Sequence, residues 1–285
     1  MEFEKVAILG GGLLGGSLAL ALARQFPGTP VALWARRAET VTIARERGID
    51  GATGDLAEAV KSADLVVLST PVGAMATVLL AAQTAGLSRE ALITDVGSVK
   101  AAPHRLLQPL LERTGAKFIG SHPMAGSEQT GIGAADVALF DGAACLLTDD
   151  GGVGAPWTAK LQRFWEALGC RISWLDAAGH DALVARISHF PHLIAAAAAK
   201  VALENPADGY FGGGGLRDTT RVAGGDPAMW AEIVMENRDA LRGVLGHGIR
   251  EMSEMLAMLE AGDHEALRRW LEDAKIARDA SLRRD

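Results

Sequence analysis

Val6-Ala7-Ile8-Leu9 runs directly into Gly10-Gly11-Gly12-Leu13-Leu14-Gly15, and an apolar stretch of helical character continues to about Phe26, where Pro27-Gly28 breaks it. Few folds accept this order. An uninterrupted apolar quartet reads as a strand covered on both faces, and glycines at this spacing allow a turn too tight for side chains before a helix begins. The same residues carry a rival reading. Val6 to Ala23 is uncharged, follows Lys5 and ends Ala21-Leu22-Ala23, in the manner of a secretory leader. Gly10, Gly11, Gly12, Gly15 and Gly16 in its middle would each weaken a continuous apolar helix by about 1 kcal/mol relative to alanine. Strand, turn and helix is therefore the expectation. No other stretch reads as long enough to span a membrane. Cys145 and Cys170 fall in strand-like runs outside any CxxC spacing and read as reduced core thiols of a cytoplasmic protein.

The glycines fit GxGxxG, in the context that this pattern requires. Gly10 permits the tight turn, Gly12 lets the backbone approach a pyrophosphate, and Gly15 lets helix and strand pack closely. Leu13 and Leu14 open the helix, where oriented N–H groups and a partial positive charge favour phosphate. The predicted ligand is a dinucleotide. The second strand, Val31 to Trp34, is followed by Ala35-Arg36-Arg37, where an NAD site usually presents Asp or Glu to the ribose. Arg36 and Arg37 would instead attract a 2′-phosphate and bond it bidentately. NADP is favoured on this ground, with NAD as the alternative. Ser69-Thr70-Pro71, after the third strand, sits where a loop passes the cofactor, though a helix cap with a turn proline fits as well.

Further apolar runs follow at Leu65 to Leu68, Ala91 to Thr94, Phe118 to Gly120, Ala143 to Leu147 and Arg171 to Trp174, alternating with helical patterns. They predict an α/β domain with a mostly parallel sheet over residues 1–175. Asp149 to Pro156 is Gly-rich and reads as a loop. From Asp176 the strands stop. Residues 176–285 read as all-helical, with a break at Pro191 and with Asp226-Pro227 as an N-cap and first helical residue. Trp230, Ile233, Val234, Leu241, Val244, Leu245, Ile249, Met252, Met255, Leu256 and Leu259 recur at helical spacing, predicting one long helix whose apolar stripe in part meets another subunit. Asp and Glu outnumber Lys and Arg by 35 to 28, a formal charge of −7, and aromatics are only 5%. That balance argues against a nucleic-acid partner.

Four segments beyond the cofactor turn mix polar groups with turn formers where ligand-facing residues sit in such sheets. They are Asp95 to Lys100, Gly120 to Glu128, His180 through His192, and Arg217 to Arg221 with Pro227 to Trp230. Taken in order, with the glycine turn, they resemble the prephenate/arogenate dehydrogenase family of tyrosine biosynthesis, over nearly the whole chain. The resemblance implies an N-terminal Rossmann-like domain, a C-terminal all-α dimerisation domain, and NAD(P)-dependent oxidative decarboxylation of a cyclohexadiene. Prephenate would give 4-hydroxyphenylpyruvate and is favoured. Arogenate, giving tyrosine, or the use of both is the alternative.

By the same resemblance His122 bonds the ring hydroxyl, Ser98 helps to hold that hydroxyl and the histidine, and Arg221 binds a substrate carboxylate. His189 and His192 line or orient the substrate site, Trp230 forms a wall, and Glu128 with His180-Asp181 belongs to the entrance. Each has a plainer rival: a capped turn histidine for His122, satisfied core histidines for His189 and His192, a surface ion pair for Arg221. The histidines lack a close ligand spacing such as HExxH, so no metal is expected. Ala35 departs from the acidic residue usual for NAD, and the expected chain has no room for a regulatory or mutase domain. A homodimer follows from the family and the apolar helix. Other readings are a β-hydroxyacid dehydrogenase or imine reductase and a non-catalytic NADP sensor. The first depends on a helical lysine, and Lys200 in its Ala-rich setting is a poor match. A sensor would need neither His122 nor Arg221.

Overall fold

The computed structural model describes residues 2–282. They divide into two compact units, one ending at Arg238 and the other beginning at Asp239. The first is built on an eight-stranded sheet in the order β3-β2-β1-β4-β5-β6-β7-β8. The strands are β1 (Val6–Leu9), β2 (Val31–Trp34), β3 (Ala52–Thr53), β4 (Leu65–Leu68), β5 (Leu92–Asp95), β6 (Lys117–Pro123), β7 (Ala144–Thr148) and β8 (Arg171–Leu175). All neighbours are parallel except β6 and β7. The predicted strands are present, with β6 extending three residues further than its apolar core. The two-residue β3 lies below what hydrophobic periodicity can signal.

The apolar quartets are continuous because both faces are covered. Val6 and Ile8 of β1, with Leu65 and Val67 of β4, pack against Leu18 and Leu22 of α1 (Leu13–Gln25) and Trp165 of α6 (Ala155–Ala167). Ala7 and Leu9, with Val66 and Leu68, face the other way onto Met75 and Leu79 of α4 (Val72–Thr84) and Leu107 of α5 (Ala101–Thr114). Alternation with period two thus feeds two cores, one on each side. Two short helices, α2 (Ala38–Glu46) and α3 (Leu56–Val60), complete the crossovers beside β2 and β3. Cys145 and Cys170 are both free thiols and both buried.

After β8 the first unit continues as helix. Asp176 caps α7 (Ala177–Val184), accepting from Gly179 N at 2.6 Å, while Asp150 Oδ1 accepts from Ala177 N at 2.9 Å. A π turn (Ala185–His189) then leads into α8 (Phe190–Ala202) without a gap. The expected break at Pro191 is therefore corrected. Proline has no N–H to contribute, and the looser π turn just before it absorbs the missing bond. The run Ala177–Ala202 is also long and apolar enough, by composition, to cross a membrane, against the expectation that no such stretch follows the first helix. Its buried His180, Asp181, His189 and His192 are the kind of groups that a lipid-facing helix avoids. Next come α9 (Gly214–Thr220), a 3-10 turn (Arg221–Gly224) and α10 (Pro227–Glu236), capped by Asp226 accepting from Met229 N at 2.8 Å.

The single long helix expected from Pro227 to Leu259 is two helices. Asn237 ends α10, and α11 (Arg238–Ala261) follows. The apolar spacing hid the break because Asn237 is buried, with both its bonds made to distant segments. In the second unit α11 turns at Gly262, whose φ is +64°, into α12 (His264–Leu282). Trp270 donates to Glu251 at 2.9 Å across the pair. Ile249, Met252, Leu256, Leu259, Leu271 and Ile276 of this unit are each more than half exposed.

Candidate active site

The strand order reverses between β1 and β4, the point where open parallel sheets form a crevice at their carboxyl ends. Gly10 and Ser69 flank it. Gly10 has φ +134°, and a Cβ there would lie 2.2 Å from the Ser69 carbonyl oxygen. A Cβ on Gly15 would meet the Gly10 oxygen at 2.0 Å, whereas one on Gly12 would meet nothing within 4 Å. The turn is therefore closed towards the protein at Gly10 and Gly15 and open at Gly12. No side chain caps α1, so the N–H groups of Leu13, Leu14 and Gly15 in its first turn lack helical partners. Thr70 Oγ1 is buried beside this turn without a partner, and Pro71 is the N-cap of α4. At the end of β2, Ala35 is buried while Arg36 and Arg37 are exposed and, among the described residues, hold no ion pair. This constellation fits a dinucleotide: an open cradle, unpaired donors and an unpaired hydroxyl along one edge.

The same edge carries His122 at the end of β6. Its Nδ1 lies 2.9 Å from His180 Nε2, and His180 Nδ1 lies 2.8 Å from Asp181 Oδ1. Asp181 in turn accepts from Lys100 N at 2.7 Å and from Ala101 N at 3.0 Å. The start of α5 has no capping side chain of its own, so Asp181 of α7 serves as its cap. Burial lowers His122 well below the ordinary imidazole value, reinforced by His180, Lys100 and His189. Burial also lowers His180, against the opposing pull of Asp181. Asp181 is raised by burial, but its bonds to His180, Lys100 N and Ala101 N leave it below the usual carboxylate value. The expectation that His180 and Asp181 stand at an entrance is corrected: His180 is wholly inaccessible and lies behind His122.

His189 and His192 join this cluster from the π turn and α8. Asn237 Nδ2 donates to Asp181 O at 2.8 Å and contacts His189 Nδ1 at 3.1 Å. Burial brings the His189 imidazole down to about 4, with the Ser98 backbone and Asp181 opposing. His192 stacks on Trp230, with ring centroids 3.5 Å apart and planes at 10°, and is lowered by burial. His189 Nε2 and His192 Nδ1 are buried without a partner. Ser98 lies in the loop between β5 and α5, half-buried. Beneath the site a fully buried ion pair joins Lys100 Nζ to Asp95 Oδ2, and Asp95 Oδ1 accepts from Ser121 N at 3.2 Å.

Arg221 is placed differently. Its side chain is 59% exposed and pairs with Glu128 at 3.1 Å, on the loop that leaves β6. The turn it begins packs over the stacked rings: a Cβ on Gly225 would lie 2.5 Å from Trp230 Nε1. Arg221 and Glu128 thus form a rim beside a wall of Trp230 and His192. Sequence reasoning missed Asn237 and the buried Lys100–Asp95 pair. Asn237 carries no local signal, since its partners lie 56 and 48 residues earlier, whereas Lys100 and Asp95 are five residues apart in a segment noted above, where nothing local shows that both side chains turn into the core. Among the described residues no cluster of His, Cys, Asp or Glu is arranged to hold a metal ion.

The family model for the prephenate dehydrogenase nucleotide-binding domain matches residues 18–174, and that for the prephenate dehydrogenase dimerization domain matches residues 176–273. A prephenate dehydrogenase of Lactococcus lactis is 32% identical over 281 residues, covering 97% of this chain and 77% of that one. A cyclohexadienyl dehydrogenase of Zymomonas mobilis is 33% identical, covering 97% and 95%. The structure of Aquifex aeolicus prephenate dehydrogenase with hydroxyphenyl propionate and NAD+ superposes with a TM-score of 0.87 at 28% identity, over 98% of this chain and 99% of that one. From the glycine turn to the paired final helices, the chain belongs to the prephenate dehydrogenase family.

Proposed function

We propose that the protein is an NAD(P)-dependent dehydrogenase that oxidises and decarboxylates prephenate to 4-hydroxyphenylpyruvate. One observation carries the reading. Three buried side-chain atoms stand without a partner among the described residues: Thr70 Oγ1, His189 Nε2 and His192 Nδ1. Each such group costs about 1–3 kcal/mol unless something else satisfies it. Thr70 Oγ1 lies beside the glycine turn, and the two histidine atoms lie in the cluster that includes His122, so a dinucleotide at the first and a polar substrate at the second are the natural complement.

A bound nicotinamide supplies the hydride acceptor. His122 Nε2 takes the proton of the ring hydroxyl as the carbinol becomes a carbonyl. Its depressed basicity keeps it neutral, and so able to accept, at neutral pH. Loss of the ring carboxylate as carbon dioxide returns its bonding pair to the ring, which becomes aromatic and so supplies most of the driving force, and the phenolate oxygen takes its proton back from His122 Nε2. Ser98, in the loop beside His189, holds the hydroxyl and His122 in register. Arg221 offers a planar fork to a substrate carboxylate, sharing its charge with Glu128 until then. His189 and His192 present their unpaired nitrogens to the substrate, and Trp230 excludes water. Gly10, Gly12, Leu13, Leu14, Gly15, Ser69, Thr70 and Pro71 hold the dinucleotide. Unpaired Arg36 and Arg37 at the end of β2 support NADP over NAD.

Residues 1–175 and 176–285 serve as the nucleotide-binding and the substrate-binding, dimerising portions. The exposed apolar side chains of α11 and α12 support a homodimer, and the cytoplasm suits its free cysteines. Arogenate is the second reading, favoured by likeness to an enzyme named for cyclohexadienyl substrates. The test is formation of reduced cofactor by purified protein, with prephenate and arogenate each offered against NAD and NADP. Turnover is expected with prephenate and NADP. Protein that binds cofactor yet turns over no pairing would refute the reading.

A further inference from the structure

His122 has two ring nitrogens, and only a neutral imidazole with its proton on Nδ1 offers a lone pair at Nε2. The surroundings decide which form exists. Lys100 N and Ala101 N can only donate, so both Asp181 oxygens act as acceptors. Asp181 Oδ1 must then receive the proton of His180 Nδ1 at 2.8 Å. With its proton at Nδ1, neutral His180 has only a lone pair at Nε2. His122 Nδ1, 2.9 Å away, must donate to it. Nothing among the described residues bonds His122 Nε2. Each hydrogen bond thus fixes the direction of the next, from the amide groups that open α5 to the end of β6.

We propose that Asp181 and His180 are positioning residues, which lock His122 in the tautomer that leaves Nε2 free to take the substrate proton. The logic parallels the carboxylate that orients the histidine of a serine-protease triad, lengthened here by one imidazole. When Nε2 accepts a proton, the positive charge on His122 is spread towards the Asp181 carboxylate without a second proton having to move. The charged and titratable groups facing the chain are few: Lys100 and His189 around His122, and Lys100, Asp95 and Asp181 around His180. Lys100 is matched by Asp95 in the buried ion pair, so it does not compete for Asp181. This inference rests on His122 being the proton acceptor proposed above.

The experiment is nitrogen-15 NMR of histidine-labelled protein, which reads the tautomer of each ring, combined with kinetics of His180→Phe and His180→Gln. In the unaltered protein His122 is expected to carry its proton on Nδ1. In His180→Phe the Nδ1 acceptor is gone, so the Nε2-protonated form should appear. The kcat should fall about 100-fold with KM within twofold. The acid limb of kcat should move to lower pH, because the imidazolium has lost its acceptor. Glutamine can accept through its amide oxygen, so His180→Gln should restore at least a tenth of the rate. An Nε2-protonated His122 in the unaltered protein overturns the proposal even if neither variant folds. So does His180→Phe with an unchanged rate and acid limb. Absent turnover in the unaltered protein would sink the proposed function instead, while the NMR result still decides the tautomer.

Discussion

The glycine turn and the histidine cluster lie on the same edge of one sheet, yet they are built in opposite ways. The turn is local. Six consecutive residues, Gly10 to Gly15, define it, and its properties come from side chains that are missing. The cluster is assembled from β6, the start of α5, α7, the π turn and the end of α10. Its properties come from which hydrogen bonds each buried group is obliged to make. The turn is set by sterics and is indifferent to protons, whereas the cluster is set by proton positions.

The largest expected effect separates chemistry from binding. His122→Asn should lower kcat about 1,000-fold while leaving the dissociation constant for NADP unchanged, as read by fluorescence titration. Equal losses in both would mean that the two regions are not independent. Gly10→Ala is the converse. At φ +134°, with a backbone oxygen 2.2 Å from the new Cβ, the substitution should cost about 3 kcal/mol or more in a urea melt and abolish cofactor binding. A stable Gly10→Ala variant that still binds NADP would show that the turn is not sterically closed.

Acid should act on the cluster and not on the turn. His189 binds its proton at about 4 in the folded protein against 6.5 in the open chain. The unfolded state therefore takes up a proton that the folded state refuses. Stability should fall as pH drops from about 6.5 to 4, by up to about 3 kcal/mol from this residue, and flatten below. His122, His180 and His192 add to the same slope. Urea midpoints across that window for the unaltered protein and His189→Gln, which should show a shallower slope, check it. The smallest effect is at the ribose. Arg36→Ala and Arg37→Ala should each raise KM for NADP about tenfold with KM for NAD within twofold. Equal changes for both cofactors would remove the NADP preference.

This contrast also explains what was legible in the sequence. The strands, the glycine turn and the change to helix near Asp176 could be read because each depends on a run of neighbours. His122, His189, His192 and Arg221 could be named through resemblance, but the hydrogen bonds that order the cluster could not. His180 looked like an entrance residue because nothing in its neighbourhood reveals that it packs behind β6. Asn237 was absorbed into a helical pattern, since apolar spacing continues on both sides of it. What makes it special is a pair of bonds to Asp181 and His189, 56 and 48 residues earlier. Buried polar groups of this kind obey an accounting rule that closes only in three dimensions.

The π turn at Ala185–His189 places a phase shift inside an otherwise regular rod. One extra residue in a helical turn rotates everything beyond it by about 100°. His180 and Asp181 lie before the shift, and His189 and His192 after it. Deleting a single residue there would leave a smoother, intrinsically better helix with its second pair of histidines pointing elsewhere. The helix would gain regularity and the enzyme would lose its site, so at this point chain length matters more than side-chain identity.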